Sequence, residues 1–189
     1  MSTKKDKFNY KDHFYMNLAM NLARERCGLT GENPSVGCVI VKNDEVISIG
    51  QTGINGRPHA EHNAIKLCKK NLKGSKIYVT LEPCTHYGKT LPCSDIIIKS
   101  KIKEVLFSII DPDIRTKSKS FKIFKAKNIK VKFGLLQKEA KSVYKPYIYS
   151  KNSKLPFVTG KLAISKDKFI YSKKQKKITN EHSDKISHL

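Results

Sequence analysis

Thr80-Leu81-Glu82-Pro83-Cys84-Thr85-His86-Tyr87-Gly88-Lys89-Thr90-Leu91-Pro92-Cys93 leads from an apolar, β-rich segment through a loop punctuated by Pro and Gly to a second cysteine. Upstream stands His59-Ala60-Glu61. One imidazole and two thiolates are good ligands for zinc. One His with two Cys is a set found in catalytic sites, where the fourth tetrahedral position stays open for water. Glu61, two residues from His59, is placed to move protons to and from that water. His-Ala-Glu alone is a weak signal, and Cys84 and Cys93 alone read equally well as core thiols. All three in this order, each at a strand-to-helix junction, are far more specific. A closed, structural zinc site would need a fourth ligand, for which His62 and His86 are the nearby candidates.

Working outward, Phe14, Leu18 and Leu22, with Tyr15, Ala19 and Ala23 alongside, have helical spacing over residues 11–27. Gly28 and the loop Thr30-Gly31-Glu32-Asn33-Pro34 end that helix. The β-rich runs 36–41 and 46–49, separated by Lys42-Asn43-Asp44-Glu45, predict a hairpin. A loop holding Gly50, Gly53 and Gly56 delivers His59 to a helix that continues to about Lys70. Residues 77–81 predict a strand, 93–100 a helix, and 105–110 a strand ended by Asp111-Pro112-Asp113. Residues 120–133 predict another helix and strand, 136–150 a helix, and 155–159 the start of an extended run. Alternation of this kind predicts an α/β layered fold with helices on a mixed sheet.

The chain has 189 residues, enough for one well-buried domain, or one domain and a fragment of another. No apolar run approaches the roughly 20 residues of a membrane span. The polar start Met1-Ser2-Thr3-Lys4-Lys5-Asp6-Lys7 leads into no hydrophobic segment, so a cytoplasmic protein is expected. Five cysteines, an odd count, argue against a disulfide framework. Cys38 and Cys68 read as small buried hydrophobes, and Cys27 lies at a helix end.

The net charge of +22 is uneven: residues 1–114 hold 17 basic and 12 acidic side chains, residues 115–189 hold 21 and 4. The basic set is 34 Lys and only 4 Arg, whereas base and phosphate readout favours the planar fork of Arg. This reads as lysine-rich composition rather than a nucleic-acid surface. From Ser165 onward the lysine-dense tail has too few apolar residues to bury much surface by itself.

His-x-Glu followed by Pro-Cys and a second Cys resembles the signature of the zinc-dependent nucleobase deaminases. Members of that superfamily usually keep their two cysteines two residues apart. Here eight residues intervene, with His-x-Gly-Lys-Thr-x-Pro between them. That longer loop resembles the riboflavin-biosynthesis deaminases, the N-terminal half of bifunctional pyrimidine deaminase–reductases. Asn33-Pro34-x-Val36-Gly37 and Asp111-Pro112-Asp113 match the same family, and the resemblance covers roughly residues 10–165.

The resemblance implies a three-layer cytidine deaminase-like α/β fold, a mixed sheet with helices on both faces. Residues 1–150 would be the zinc-dependent deaminase domain, and 151–189 the incomplete start of a reductase domain with its lysine-rich tail. The implied substrate is 2,5-diamino-6-(5-phospho-ribosylamino)pyrimidin-4-one, deaminated at C2 to the 5-amino uracil product. His59, Cys84 and Cys93 would hold one zinc ion and Glu61 would shuttle protons. Asn33, His86, Lys89, Thr90, Asp111 and Asp113 would contact the substrate, with the Lys89 charge suited to a phosphorylated ligand. NADP would matter only if a complete reductase domain is supplied elsewhere. The expected partners are the small phosphorylated pyrimidine and a second copy or a separate reductase, with no nucleic acid and no membrane.

The chain also departs from the family. Thr52 stands where many members have a substrate-contacting His, and Arg115-Thr116-Lys117-Ser118-Lys119-Ser120 replaces a Gly-rich segment. The run from Leu155 to Asp167 is similar to the first reductase strand, with Lys161 matching a reductase-site lysine; Lys168 replaces the usual Gly, and a faint match continues at Ile178-Thr179. A complete reductase would take roughly 150 further residues, so reduction by this chain alone is not expected. Two other readings stay open: a deaminase of bases in RNA or DNA, such as a tRNA adenosine or cytosine, and a zinc-bound assembly subunit without turnover.

Overall fold

The computed structural model describes residues 7–88, 90–170, 180 and 181. Strands β1 (Gly37–Lys42) and β2 (Glu45–Gln51) form an antiparallel hairpin. Its turn residues, Asn43 and Asp44, both take positive φ, the backbone a two-residue hairpin requires. β1 also pairs antiparallel with β3 (Lys76–Leu81), and β3, β4 (Glu104–Ile109) and β5 (Lys130–Phe133) run parallel. The order is β2-β1-β3-β4-β5, the mixed sheet expected.

Strand alternation divides the core. Val39, Val41, Tyr78 and Leu106 pack with Tyr15, Met16 and Ala19 of helix α1 (Tyr10–Glu25). Ile40, Ile77, Val79, Val105 and Phe107 belong to a second cluster. There α2 (Ala60–Leu67), α3 (Cys93–Lys99) and α4 (Lys119–Ala126) cover the sheet. Helix α5 (Gln137–Val143) meets α1 and β4, and α6 (Lys145–Asn152) follows it. Helices therefore lie on both faces.

Several boundaries differ from the periodicity. The buried stripe of α1 is Tyr15, Met16, Ala19, Met20 and Ala23, whereas Phe14 is 55% exposed. Small Ala side chains let this face approach β1 more closely than one centred on Phe14 would. The helix expected over 136–150 is two helices, because Pro146 has no N–H to extend the α5 ladder. α2 stops at Leu67, and Cys68 is an extended, partly exposed cap rather than a buried helical residue. Residues 155–159 form no strand.

The chain separates into two units, Met1–Asn152 and Ser153–Leu189. In the second, Leu155, Val158, Leu162 and Phe169 are exposed, and a turn links Ser165 N–H to Phe169 O. Ile178, Thr179, His182 and His188 lie outside the described residues. Among the described residues, no helix is long and apolar enough to cross a membrane.

The strand directions position the site. β2, β3 and β4 point the same way and β1 the opposite way, so their C-terminal ends meet the entry to β1 at one edge. Loops 30–36, 52–59, 82–92 and 110–118 gather there, at the carboxyl ends of the parallel strands where ligands bind in open α/β sheets.

Candidate active site

His59 is the N-cap of α2 and Glu61 its second residue, so both face the loop-bearing edge from one turn. Gly50 on β2 makes this placement possible: a Cβ there would stand 2.3 Å from Ala60 O and 2.5 Å from Ala64 N. Ser48 Oγ donates to Ala64 O and Asn63 Nδ2 to Gln51 O, which clamp α2 to β2. Cys84 lies three residues past β3, and Cys93 opens α3. The Cys93 N–H donates to Cys84 Sγ at 3.3 Å, and the Ser94 N–H donates to Cys84 O.

His59 Nδ1 lies 3.3 Å from Cys93 Sγ and 3.6 Å from Cys84 Sγ, and the three donor atoms lie within 4.8 Å of one another. Zn–N and Zn–S bonds of about 2.1 and 2.3 Å at the tetrahedral angle separate N from S by about 3.6 Å, so the donor set fits zinc. Among the described residues this group has three members. His62 Nε2 instead meets Leu91 O at 3.0 Å, and His86 Nδ1 meets Thr116 Oγ1 at 3.2 Å. Neither side chain closes the site as a fourth ligand.

The electrostatics follow from burial and crowding. Hydrogen bonds from Cys93 and His59 pull the Cys84 thiol down to about 4 despite burial, so it is a thiolate at neutral pH. Burial and the adjacent Cys84 hold Cys93 well above its ordinary value. The Cys84 partner raises His59. Glu61 is only 3% exposed, and burial, reinforced by Cys84, pushes its carboxyl up to about 7. A carboxyl poised there can both take and give a proton near neutrality.

A cavity of about 300 Å³ opens beside this group. Asn33, His86, Asp111 and Asp113 line it with His59, Glu61 and Cys84. Asp111 Oδ1 accepts from the Asp113 N–H and from Tyr147 Oη, and burial raises its carboxyl to about 6. Asp113 pairs with Arg115 and Lys151, which hold it well below the usual carboxylate range. Thr90 is outside the lining, its hydroxyl accepting from Arg57 Nη1 at 2.7 Å. Lys89 lies outside the described residues.

Thr52 does line the cavity, but its hydroxyl is engaged with backbone: it accepts from the Val36 N–H and donates to Pro34 O. The sequence reading missed Arg57, Glu82, Tyr147 and Lys151 and noted Arg115 only as a departure. Glu82 is buried and accepts from the N–H groups of Asp111, Ser118 and Ser120 and from Ser120 Oγ, shaping the loop after β4. Its place beside Pro83-Cys84 was the available signal. Tyr147 and Lys151 come from α6 and carry no local signal.

The profile of the cytidine and deoxycytidylate deaminase zinc-binding region matches residues 9–109. The diaminohydroxyphosphoribosylamino-pyrimidine deaminase of Buchnera aphidicola subsp. Schizaphis graminum is 42% identical over 146 residues, 77% of this chain and 99% of that protein. The chain belongs to the riboflavin-biosynthesis deaminases. Within this deaminase family, riboflavin biosynthesis protein RibD of Bacillus amyloliquefaciens is 41% identical over 156 residues, 82% of this chain but 42% of that protein. The Thermotoga maritima deaminase/reductase structure superposes with a TM-score of 0.83 at 34% identity, covering 95% of this chain and 52% of that one. The chain thus spans about half or less of the length of these two relatives, and its fold is the cytidine deaminase-like fold of the family. The residues matched to the family's zinc-binding region include the three-donor group.

Proposed function

We propose that the chain hydrolytically deaminates 2,5-diamino-6-(5-phospho-ribosylamino)pyrimidin-4-one, releasing ammonia and the 5-amino uracil product. The observation that carries this reading is a buried Glu61, poised near neutrality, beside a three-donor His59/Cys84/Cys93 group on the wall of a small-molecule cavity. These three residues would hold one zinc ion, which when bound supplies a water with its pKa lowered to about 7. Glu61 accepts the proton of that water as its oxygen replaces the amino group at C2. It hands that proton to the ring nitrogen, takes the second proton from the hydroxyl added at C2 and gives it to the departing amine, so water is consumed and ammonia leaves. Asn33, His86, Asp111 and Asp113 orient the aminopyrimidine from the cavity wall, with Lys89 contributed by the loop between the cysteines and Thr90 acting through Arg57.

The division at Asn152/Ser153 supports a deaminase domain over 1–150 and a reductase start over 151–189. NADP would enter only with a complete reductase supplied elsewhere, by a separate chain. Five free cysteines suit a reducing, cytoplasmic setting. The test is ammonia release from the diamino-pyrimidinone phosphate by purified, zinc-loaded protein. Absent release, or undiminished release by Glu61→Gln, would overturn the assignment.

A further inference from the structure

Three cations line the cavity among the described residues, and they are not equivalent. Arg115 and Lys151 both pair with Asp113 Oδ2, at 2.6 and 3.3 Å. Arg57 lines the same cavity as His59 and Glu61 but has no carboxylate within ion-pair distance among the described residues. Its partner is neutral: Nη1 donates to Thr90 Oγ1 at 2.7 Å, from a loop 33 residues away. That bond aims the guanidinium, and among the described residues it is the one hydrogen bond its side chain makes.

Gly88 lies close to the other terminal nitrogen: a Cβ there would stand 3.3 Å from Arg57 Nη2. Any longer side chain at 88 would crowd the fork. A pinned, planar guanidinium without a counter-carboxylate is suited to bidentate recognition of a phosphate. A lysine at this position would offer a point charge without the fork.

We infer that Arg57 anchors the phosphate ester of the substrate and so selects the phosphorylated aminopyrimidine over its dephosphorylated riboside. This rests on the deaminase reading above, and it makes Arg57 a specificity-determining residue with Thr90 as its positioning partner.

Calorimetry with ribose 5-phosphate and with ribose on the zinc-loaded protein tests the anchor without turnover. Ribose 5-phosphate should bind wild type about tenfold or more tighter than Arg57→Gln, as expected for loss of a charge-assisted hydrogen-bonded contact, with ribose unaffected. No binding to wild type, or equal binding to both proteins, would overturn the inference. In steady-state kinetics, Arg57→Gln should raise KM for the phosphorylated substrate about 10–100-fold with kcat nearly unchanged, sparing kcat/KM for the dephosphorylated riboside. Arg57→Lys should recover part of the loss, and Thr90→Val should shift KM the same way by a smaller factor. Equal losses on both substrates would mean that Arg57 only braces the Thr90 loop, overturning the anchor. Failure of wild type to deaminate the compound would sink the proposed reaction, yet the calorimetry would still decide on Arg57.

Discussion

Tyr147 donates its phenolic hydroxyl to Asp111 Oδ1 at 3.0 Å, so a helix 36 residues further along the chain buttresses the loop after β4. Burial pushes the Asp111 carboxyl up to about 6, while the Asp113 N–H and Tyr147 hydroxyl favour its charged form. A carboxyl with a folded value above its ordinary 3.8 costs stability once ionised. That cost is absent below about pH 4, grows between pH 4 and 6, and is complete above. Asp111→Asn removes it. Urea unfolding should therefore show the variant gaining about 3 kcal/mol on wild type between pH 4 and pH 7. A difference independent of pH would contradict this account.

Glu82 gathers three backbone N–H groups and the Ser120 hydroxyl on one buried carboxylate. Glu82→Gln turns an acceptor into an NH₂ facing other donors. The expected loss is about 2–4 kcal/mol, because a buried charged hydrogen-bond centre is left mismatched. Since the same loop carries Asp111 and Asp113, KM should rise in parallel. Unchanged unfolding midpoints would show that the loop is held by other contacts.

Thr52 stands where the resemblance implies a histidine, yet its hydroxyl bridges Val36 N–H and Pro34 O at the entry to β1. Thr52→Val keeps the shape and removes the acceptor, stranding a buried N–H at a cost of about 1–3 kcal/mol. Thr52→Ser should restore most of that stability. If Val instead lowers kcat/KM at full stability, the hydroxyl serves substrate rather than backbone.

Metal and proton transfer separate by mutation. Glu61→Gln should retain about one zinc per chain by elemental analysis and lose about 10²–10⁴-fold in kcat. His59→Ala or Cys93→Ser should lose the metal itself and lower the thermal midpoint, because metal-binding free energy is also folding free energy. Zinc retained at full stoichiometry in Cys93→Ser would exclude that thiol from the ligand set.

The three metal donors and Glu61 were legible because each sits at a local junction. His59 and Glu61 share one helical turn, and Cys84 and Cys93 bracket a loop that starts at a β-rich run and ends at a helix. β-rich runs likewise marked β1, β2, β3 and β4. The spacing marked α1 as a helix but left its buried stripe open, and packing against β1 selected the one rich in Ala and Met over Phe14.

The strand order decided the rest. Loops far apart in the chain meet only because β2, β3 and β4 share a direction while β1 opposes them. The Arg57–Thr90 hydrogen bond, the Asp113 pairs with Arg115 and Lys151, and the engagement of Thr52 with backbone follow from that convergence. The metal-binding constellation is a property of neighbouring residues and could be read from the chain. Whether each cation or hydroxyl stays available to a ligand depends on partners brought from distant segments, and only the folded sheet sets those.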